Sequence, residues 1–473
     1  MELVLLVNKP RRIHFRLLLD LYDKRSRAYV DVIFQENSRM YRIVKILTGS
    51  FCIVLLFSYL RFNATKRYDL WRNTESQECE ITKIWPIEWK KMGETYELHL
   101  NYQTESKISS EYHILDQYVL QNGAQNRLLN FGDLISIPDD LWKLPIDSRV
   151  ALLYPQAINV SDAINRLIDG KPLNVKPMNV PKFRYLSISS RVCNPENQHS
   201  QELDLIIAVK SGIAGFDRRR EFRRLYSHLI NSHTSEFHGF RIGLVFSLGL
   251  PRQQKDNIFL RGNRLIHLDV SGGEFLNPED LEEITESLKE EMETYSDIIL
   301  GDYEDTYFNL SLKTQYAFTW AATFCRNSRP IFVFLDDDVP FSERSILRSL
   351  LNLNFKKRQN LFHGSPISRG QVFRFEDKEF EKWSLFKSEV PWPEYPPYLH
   401  GGFQLISFEN IEKIVLGMLF TQLFPIEDAW MGMVAIRLGI ELKSVDEIMR
   451  RYKIFTRKSV YLDQIDRKFL KFH

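Results

Sequence analysis

Residues 330–339 read Pro330-Ile331-Phe332-Val333-Phe334-Leu335-Asp336-Asp337-Asp338-Val339. The apolar run behind the proline is the mark of a strand buried on both faces. Three carboxylates follow it at once. Like charges crowded at the end of a buried strand oppose one another's ionisation unless something neutralises them. A hard cation would do so, because Mg²⁺ and Mn²⁺ prefer oxygen ligands and bridge to substrate phosphates. An isolated acidic triplet is also an ordinary solvated turn; its position directly behind the apolar strand favours the metal.

Working outward, strands and helices alternate. Leu203 to Val209 and Arg241 to Leu248 read as buried strands, and Asp297 to Leu300 as a shorter one. Arg218 to Ile230, Leu281 to Tyr295 and Leu312 to Cys325 have helical spacing. This order predicts an α/β fold with a mixed, largely parallel sheet, whose ligands bind beyond the C-terminal strand ends. Further on, Glu427-Asp428 precedes an apolar helical run. Asp428 there is either a helix cap or a base for a hydroxyl proton, and spacing alone leaves both open. The stretch from Trp392 through Tyr395 and Tyr398 to Gly401-Gly402 is aromatic and stiffened by proline. Its glycines let backbone approach a ligand closely. It reads as a sugar or nucleotide platform more than as a plain surface loop.

The chain has 473 residues, enough for two or three structural units. A net charge of +2 gives no electrostatic case for nucleic acid. The cysteines Cys52, Cys79, Cys193 and Cys325 form no CxxC pair, which argues against a structural zinc site. Their number leaves the pairing open. Lys210-Ser211-Gly212 is not a P-loop, so a phosphotransferase reading has little support.

Near the N-terminus, residues 46–60 carry no charge, and extending back to Ile43 includes only Lys45. This is short for a membrane span, and a buried core helix is the alternative, yet the segment lacks any polar face. Lys and Arg crowd residues 1–45 more than the far flank, which predicts an N-inside signal anchor. The expected organisation is a cytoplasmic tail at 1–42, an anchor at 43–61, a stem at 62–80, an accessory lumenal region at 81–200 and a catalytic domain at 201–473. Met40 offers an alternative start that would make 1–39 an extension. Sequons at Asn63, Asn159 and Asn309 fit a lumenal chain.

Taken in order over residues 203–445, these segments resemble the β-1,3-galactosyltransferase family, glycosyltransferase family 31. The most specific stretch runs from Glu293 to Asp338. It includes Tyr295-Ser296-Asp297-Ile298-Ile299, Asp302, Asp305, Tyr307, Asn309, Leu312-Lys313-Thr314, Trp320, Cys325 and the aspartate triplet. Tyr395-Pro396-Pro397-Tyr398, Gly401-Gly402 and Glu427-Asp428 with Gly432 complete the order. Arg219 and Phe222-Arg223 resemble the family's arginine-rich opening helix.

The resemblance implies a GT-A-like nucleotide-sugar-binding domain, a UDP-sugar donor, Mn²⁺ (or Mg²⁺) and inversion to a β1,3 linkage on a glycoprotein or glycolipid glycan. It implies a Golgi membrane protein with a lumenal catalytic domain. Asp337 and Asp338 would hold the metal, with His473 as the candidate for the family's late histidine. Asp336, Asp337, Arg219, Arg223 and Asp302 would serve the donor. Asp428 would be the catalytic base, with Glu427, Trp392, Tyr395, Tyr398, Gly401 and Gly402 on the acceptor or sugar side. Leu399-His400 and Val434 stand where the family has cysteines, which implies a missing disulfide there, and Tyr226 stands where it has Trp. These departures motivate a second reading, a catalytically lapsed lumenal sugar- or nucleotide-binding protein.

Overall fold

The computed structural model describes residues 85–449 except 106–112, 116–126, 130, 156–157, 181, 231–238, 253–257, 269–277, 340 and 377. The tail, anchor and stem expected at 1–80, and His473, lie outside the described residues. Among the described residues no helix is long and apolar enough to cross a membrane.

The described residues all fall in one compact unit. Its frame is a ten-stranded sheet. In chain order the strands are β1 (Ile87–Met92), β2 (Thr95–Leu100), β3 (Arg184–Ile188), β4 (Leu205–Lys210), β5 (Ile242–Leu250), β6 (Ile298–Glu304), β7 (Ile331–Asp336), β8 (Phe362–Ile367), β9 (Tyr398–Ile406) and β10 (Lys443–Ser444). Across the sheet they lie in the order β1-β2-β3-β6-β5-β4-β7-β9-β8-β10. The core run β6-β5-β4-β7 is parallel. The flanks are antiparallel except for the short β8–β10 pair. The sheet is therefore mixed, with its parallel character concentrated at the centre. Strands β1, β2 and β3 come from the stretch read as an accessory region, and they extend one edge of this same sheet.

The strand sequences explain the burial. Along β4, Ile206 and Ala208 enter one apolar core while Leu205, Ile207 and Val209 enter the other. In β7, Phe332 and Phe334 alternate with Ile331, Val333 and Leu335 in the same way. Side chains of a strand alternate between faces, so a continuous apolar run serves two cores at once. The helices that matter for the site are α1 (Phe216–Ile230), α2 (Pro278–Tyr295), α3 (Leu310–Phe324) and α4 (Glu427–Arg437). Each expected strand or helix lies within a few residues of its predicted span.

Helix α3 is buried on nearly all sides. That is why its apolar residues show little one-sided periodicity. Trp320 Nε1 donates to the Ile188 carbonyl at 3.1 Å, and a Cys193–Cys325 disulfide closes the helix end onto the segment after β3. The cysteines expected by resemblance at 399 and 434 are replaced by Leu399 and Val434, both buried in one apolar core. Asn159, the first residue of its sequon, caps the helix Val160–Ile168 by accepting from Asp162 N at 3.0 Å.

Register then delivers the site. Lys210 pairs with Asp336 where β4 and β7 end together. Strand β9 runs antiparallel to β7, with Leu335 opposite Phe403, so Gly401 and Gly402 lie just past the end of β7.

Candidate active site

Lys210 is the link between two acidic groups. Its Nζ lies 2.9 Å from Asp336 Oδ1 and 3.2 Å from Glu427 Oε1. Burial alone would lower its pKa, but the two carboxylates outweigh that and raise it, so Lys210 is a fixed cation. Asp337 is only 5% exposed. It accepts from Ser211 Oγ at 2.6 Å and from Arg218 Nη1 at 2.9 Å. Asp338 lies exposed on the turn beyond β7.

Behind Asp337 stands a buried ionic frame. Arg219 is fully buried and grips Glu291 through Nε at 3.0 Å and Nη2 at 2.7 Å. Its Nη1 donates to the Gly212 carbonyl at 2.6 Å and to Ser211 Oγ at 3.3 Å. Arg223 binds Glu291 at 2.6 Å and takes Asp297 in a bidentate pair at 2.8 Å. Lys313 holds the same turn from below, donating to the Ser211 carbonyl at 2.5 Å and to Asp305 at 2.9 Å. Arg219 thus orients Ser211, and through it Asp337, while Arg223 braces Glu291. Both arginines, read from the sequence as donor ligands, direct their guanidinium groups into the protein.

Glu291 neutralises two buried cations, so removing it leaves both underpaired. Breaking a buried ion pair from one side costs about 3–5 kcal/mol. Glu291→Gln is accordingly expected to lower unfolding stability by about that amount in denaturant titration. An unchanged midpoint would show that the frame is not what holds α1 to α2.

On the opposite wall, α4 begins at Glu427, with Ile426 as its cap residue. Asp428 therefore sits inside the first turn and is not the cap, which removes one of the two readings its spacing allowed. Its Oδ1 accepts from Ala429 N at 2.7 Å. Burial and the neighbouring Glu427 carboxylate push the Asp428 pKa up to about 6, against the opposing pull of Ala429 N–H, Lys210 and His400. A carboxyl raised toward neutrality suits proton abstraction. A pocket bounded by Lys210, Thr314, Phe334, Gly401, Glu427 and Asp428 lies here.

Gly401 explains how the wall closes. A β-carbon there would stand 2.7 Å from Glu427 Oε1. The close approach it permits is that of Glu427 to β9. At Gly402 the equivalent atom would meet the His400 ring at 3.1 Å, and Gly402 N donates to His400 Nδ1 at 3.1 Å.

The aromatic loop departs from expectation. Trp392 is fully buried. It packs edge-on against Trp142 and Tyr154, with centroids 6.1 Å and 5.9 Å away. Tyr395 is also buried and stacks on Phe424 at 6.1 Å. Neither offers a free ring face to a sugar: Trp142 and Tyr154 of the 131–155 segment pack on Trp392, and Phe424 and Tyr398 pack on Tyr395. Tyr398 is nearly buried as well; burial, with the Asp428 and Glu427 charges, pushes its hydroxyl up to about 12. Trp392→Ala is therefore expected to cost about 3–5 kcal/mol of stability, read as a lower unfolding midpoint. A loss confined to acceptor binding, with stability intact, would contradict its place in the core.

Asp302 is not brought to the triplet. It pairs with Arg184 at 3.4 Å, on a strand three positions across the sheet from β7, roughly 14 Å away at the usual strand spacing. Lys210, Ser211 and Arg218 were not singled out as site residues, although they touch the acidic groups directly. A lysine at the C-terminal end of the first parallel strand was the available signal.

Among the described residues no group of three or more His, Cys, Asp or Glu side chains converges as a metal site. The oxygen donors of Asp337 and Asp338 on one turn nevertheless suit a hard cation that takes its remaining ligands from phosphate and water. Asp337 retains acceptor capacity, since a carboxylate offers about four lone-pair sites and Ser211 and Arg218 occupy one each.

Residues 276–446 match the galactosyltransferase family model. Among curated proteins, a human lactosylceramide 1,3-N-acetyl-beta-D-glucosaminyltransferase is 25% identical over 63% of this chain and 70% of its own length. The Drosophila melanogaster beta-1,3-galactosyltransferase brn is 24% identical over 56% of this chain and 69% of its own. A Bos taurus UDP-GlcNAc:betaGal beta-1,3-N-acetylglucosaminyltransferase 9 is 28% identical over 55% and 58%. The matched span contains β6, α3, the aspartate triplet, β9 and the Glu427-Asp428 pair. Over these residues the chain is similar to the galactosyltransferase family, the resemblance that the ordered motifs carry.

Proposed function

We propose that this chain transfers a hexose or N-acetylhexosamine from a UDP-sugar to a glycan hydroxyl, forming a β1,3 linkage with inversion. The carrying observation is Lys210, whose ammonium joins Asp336 of the triplet to Glu427 beside Asp428. It makes one site of a donor wall and an acceptor wall that are far apart in the chain. The related galactosyl- and N-acetylglucosaminyltransferases support the reaction class, and the parallel strand core ending at this site fits a GT-A-like domain.

In this reading Asp428 accepts the proton of the attacking hydroxyl. The acceptor oxygen bonds the anomeric carbon from the face opposite the diphosphate. The bond from that carbon to the phosphate oxygen breaks, and UDP leaves with the electron pair. Ser211 and Arg218 hold Asp337 in orientation, with Arg219 behind Ser211. A divalent ion, Mn²⁺ or Mg²⁺, would be held by Asp337 and Asp338, with His473 as a further candidate, and would offset diphosphate charge.

The related proteins named for lactosylceramide and betaGal acceptors make a galactose-terminated glycan the first acceptor to try. We place the chain in the Golgi membrane, anchored through 43–61 with its catalytic domain in the lumen. Protease protection of the domain in sealed vesicles tests that placement. A lapsed binding protein is the less supported reading, because Lys210 still joins Asp336 of the triplet to Glu427 beside the raised Asp428 carboxyl.

The deciding experiment incubates the protein with UDP-galactose, UDP-N-acetylglucosamine and UDP-N-acetylgalactosamine, with and without Mn²⁺. Transfer from one donor, dependent on the ion and lost in Asp338→Asn, is the expected result. Donor binding without turnover on any acceptor would favour the lapsed reading, and undiminished turnover by Asp338→Asn would remove that residue from the metal assignment.

A further inference from the structure

We propose that His400 donates a hydrogen bond from Nε2 to the diphosphate of the UDP-sugar, which makes it a binding residue for the donor. The inference rests on the glycosyltransferase reading and deepens its donor subsite. Anionic phosphate oxygens call for N–H donors held in place before the ligand arrives. Arg219 and Arg223 do not supply them, because both turn inward to Glu291 and Asp297. His400 is an exposed side chain on β9, and the two residues after it, Gly401 and Gly402, are buried.

The strand fixes where the imidazole stands. Leu399 before it is buried and pairs with Pro366 on β8, and Phe403 beyond it pairs with Leu335 on β7. A β-carbon at Gly402 would lie 3.1 Å from His400 Nδ1 and 3.4 Å from Val339 Cγ2. The imidazole and Val339 therefore flank one point, and Val339 N closes the turn of the triplet onto the Asp336 carbonyl at 3.1 Å. One residue back, a β-carbon at Gly401 would lie 3.5 Å from both Asp428 Cβ and Lys210 Nζ. Residues 400–402 thus run between the triplet turn and the start of α4. In the proposed reaction the bond from the anomeric carbon to the diphosphate lies between those same two walls.

The ring is also held in one orientation. Its Nδ1 accepts from Gly402 N at 3.1 Å. A neutral imidazole with one nitrogen accepting carries its proton on the other, so Nε2–H is the donor an incoming ligand meets. Tying off Gly402 N–H would not by itself require histidine. An asparagine oxygen also reaches a backbone N–H two residues on. What the imidazole adds is a second nitrogen, farther out and bearing a proton. Such a donor, paired with a charged phosphate oxygen, makes one of the stronger hydrogen bonds a protein can offer.

The test compares wild type, His400→Ala and His400→Asn as the full chain in detergent. UDP binding is read by calorimetry with Mn²⁺, and transfer gives separate KM values for UDP-sugar and acceptor glycan. His400→Ala is expected to weaken UDP binding and raise the UDP-sugar KM about tenfold, as for losing one hydrogen bond to a charged group, with little change in the acceptor KM. His400→Asn should show the same loss, because it keeps the acceptor for Gly402 N but not the outer donor. Wild-type behaviour in His400→Asn, or unchanged UDP binding in His400→Ala, would overturn the proposal, as would a wild type that binds no UDP. A raised UDP-sugar KM with UDP binding intact would overturn it too, by placing the contact on the sugar. Absence of transfer by wild type onto every glycan would instead remove the glycosyltransferase reading, and the UDP comparison would still decide the role of His400.

Discussion

Asp428→Asn is expected to lower the transfer rate by about 10²–10⁴-fold, the range of a general base, while UDP-sugar affinity changes little. Asparagine keeps the shape and the acceptor for Ala429 N–H but cannot take a proton. In wild type the base is competent only when ionised. With its pKa pushed up to about 6 by burial and Glu427, the rate should rise with pH through that value and level off above it. Measured kcat against pH would show this limb, and its persistence in Asp428→Asn would assign it elsewhere.

The same shift has a stability consequence of opposite sense. The folded-state pKa is above the usual carboxylate value, so the folded protein holds this proton more tightly than the unfolded chain does. The stabilisation is complete below about pH 4 and is lost as pH rises through about 6. At neutral pH the ionised carboxylate therefore destabilises the fold, by up to roughly 3 kcal/mol for a shift of this size. Asp428→Asn should unfold at a higher temperature than wild type at neutral pH, and the gap should narrow in acid. A variant less stable than wild type at neutral pH would mean that Asp428 is held by partners that favour its charge. The expected result sets activity and stability in opposition at one residue, as where a function needs a buried charge.

Asp337→Ala is the second large effect. The carboxylate is buried, and its two partners, Ser211 and Arg218, approach within 2.6 Å and 2.9 Å. Removing it would take from Arg218 the carboxylate it pairs with at 2.9 Å and remove one of two carboxylates suited to the cation. Transfer is expected to fall by about 10²–10³-fold, the cost of losing one preorganised electrostatic group. The requirement for Mn²⁺ should move to higher concentration in an ion titration. Arg218 is itself partly exposed, so the stability cost should stay below that of Glu291→Gln. A variant with wild-type Mn²⁺ dependence would show that Asp337 only anchors the Ser211 turn.

Much of the frame was readable locally. The apolar runs of β4, β5 and β7 and the helices between them announced a layered sheet with its site at the strand ends. The triplet and Glu427-Asp428 were found because each follows or precedes an apolar run in the chain. The donor role for Arg219 and Arg223 was implied by their resemblance to the family's arginine-rich opening helix. What the helix could not reveal was Glu291, on another helix, which draws both guanidinium groups inward.

The aromatic loop failed for a related reason. Tryptophan and tyrosine serve a core and a sugar platform equally well, and only the covering surface distinguishes them. Trp142 and Tyr154, more than two hundred residues earlier, supply that surface to Trp392.

By itself, then, the sequence determined the alternation of strands and helices and the acidic residues at their ends, because burial periodicity and strand termination depend on neighbours in the chain. Only the tertiary structure decided which charges meet. Lys210 reaches Asp336 through strand register and Glu427 through the close pass at Gly401. Both contacts span long chain separations, and packing alone brings them within hydrogen-bonding distance.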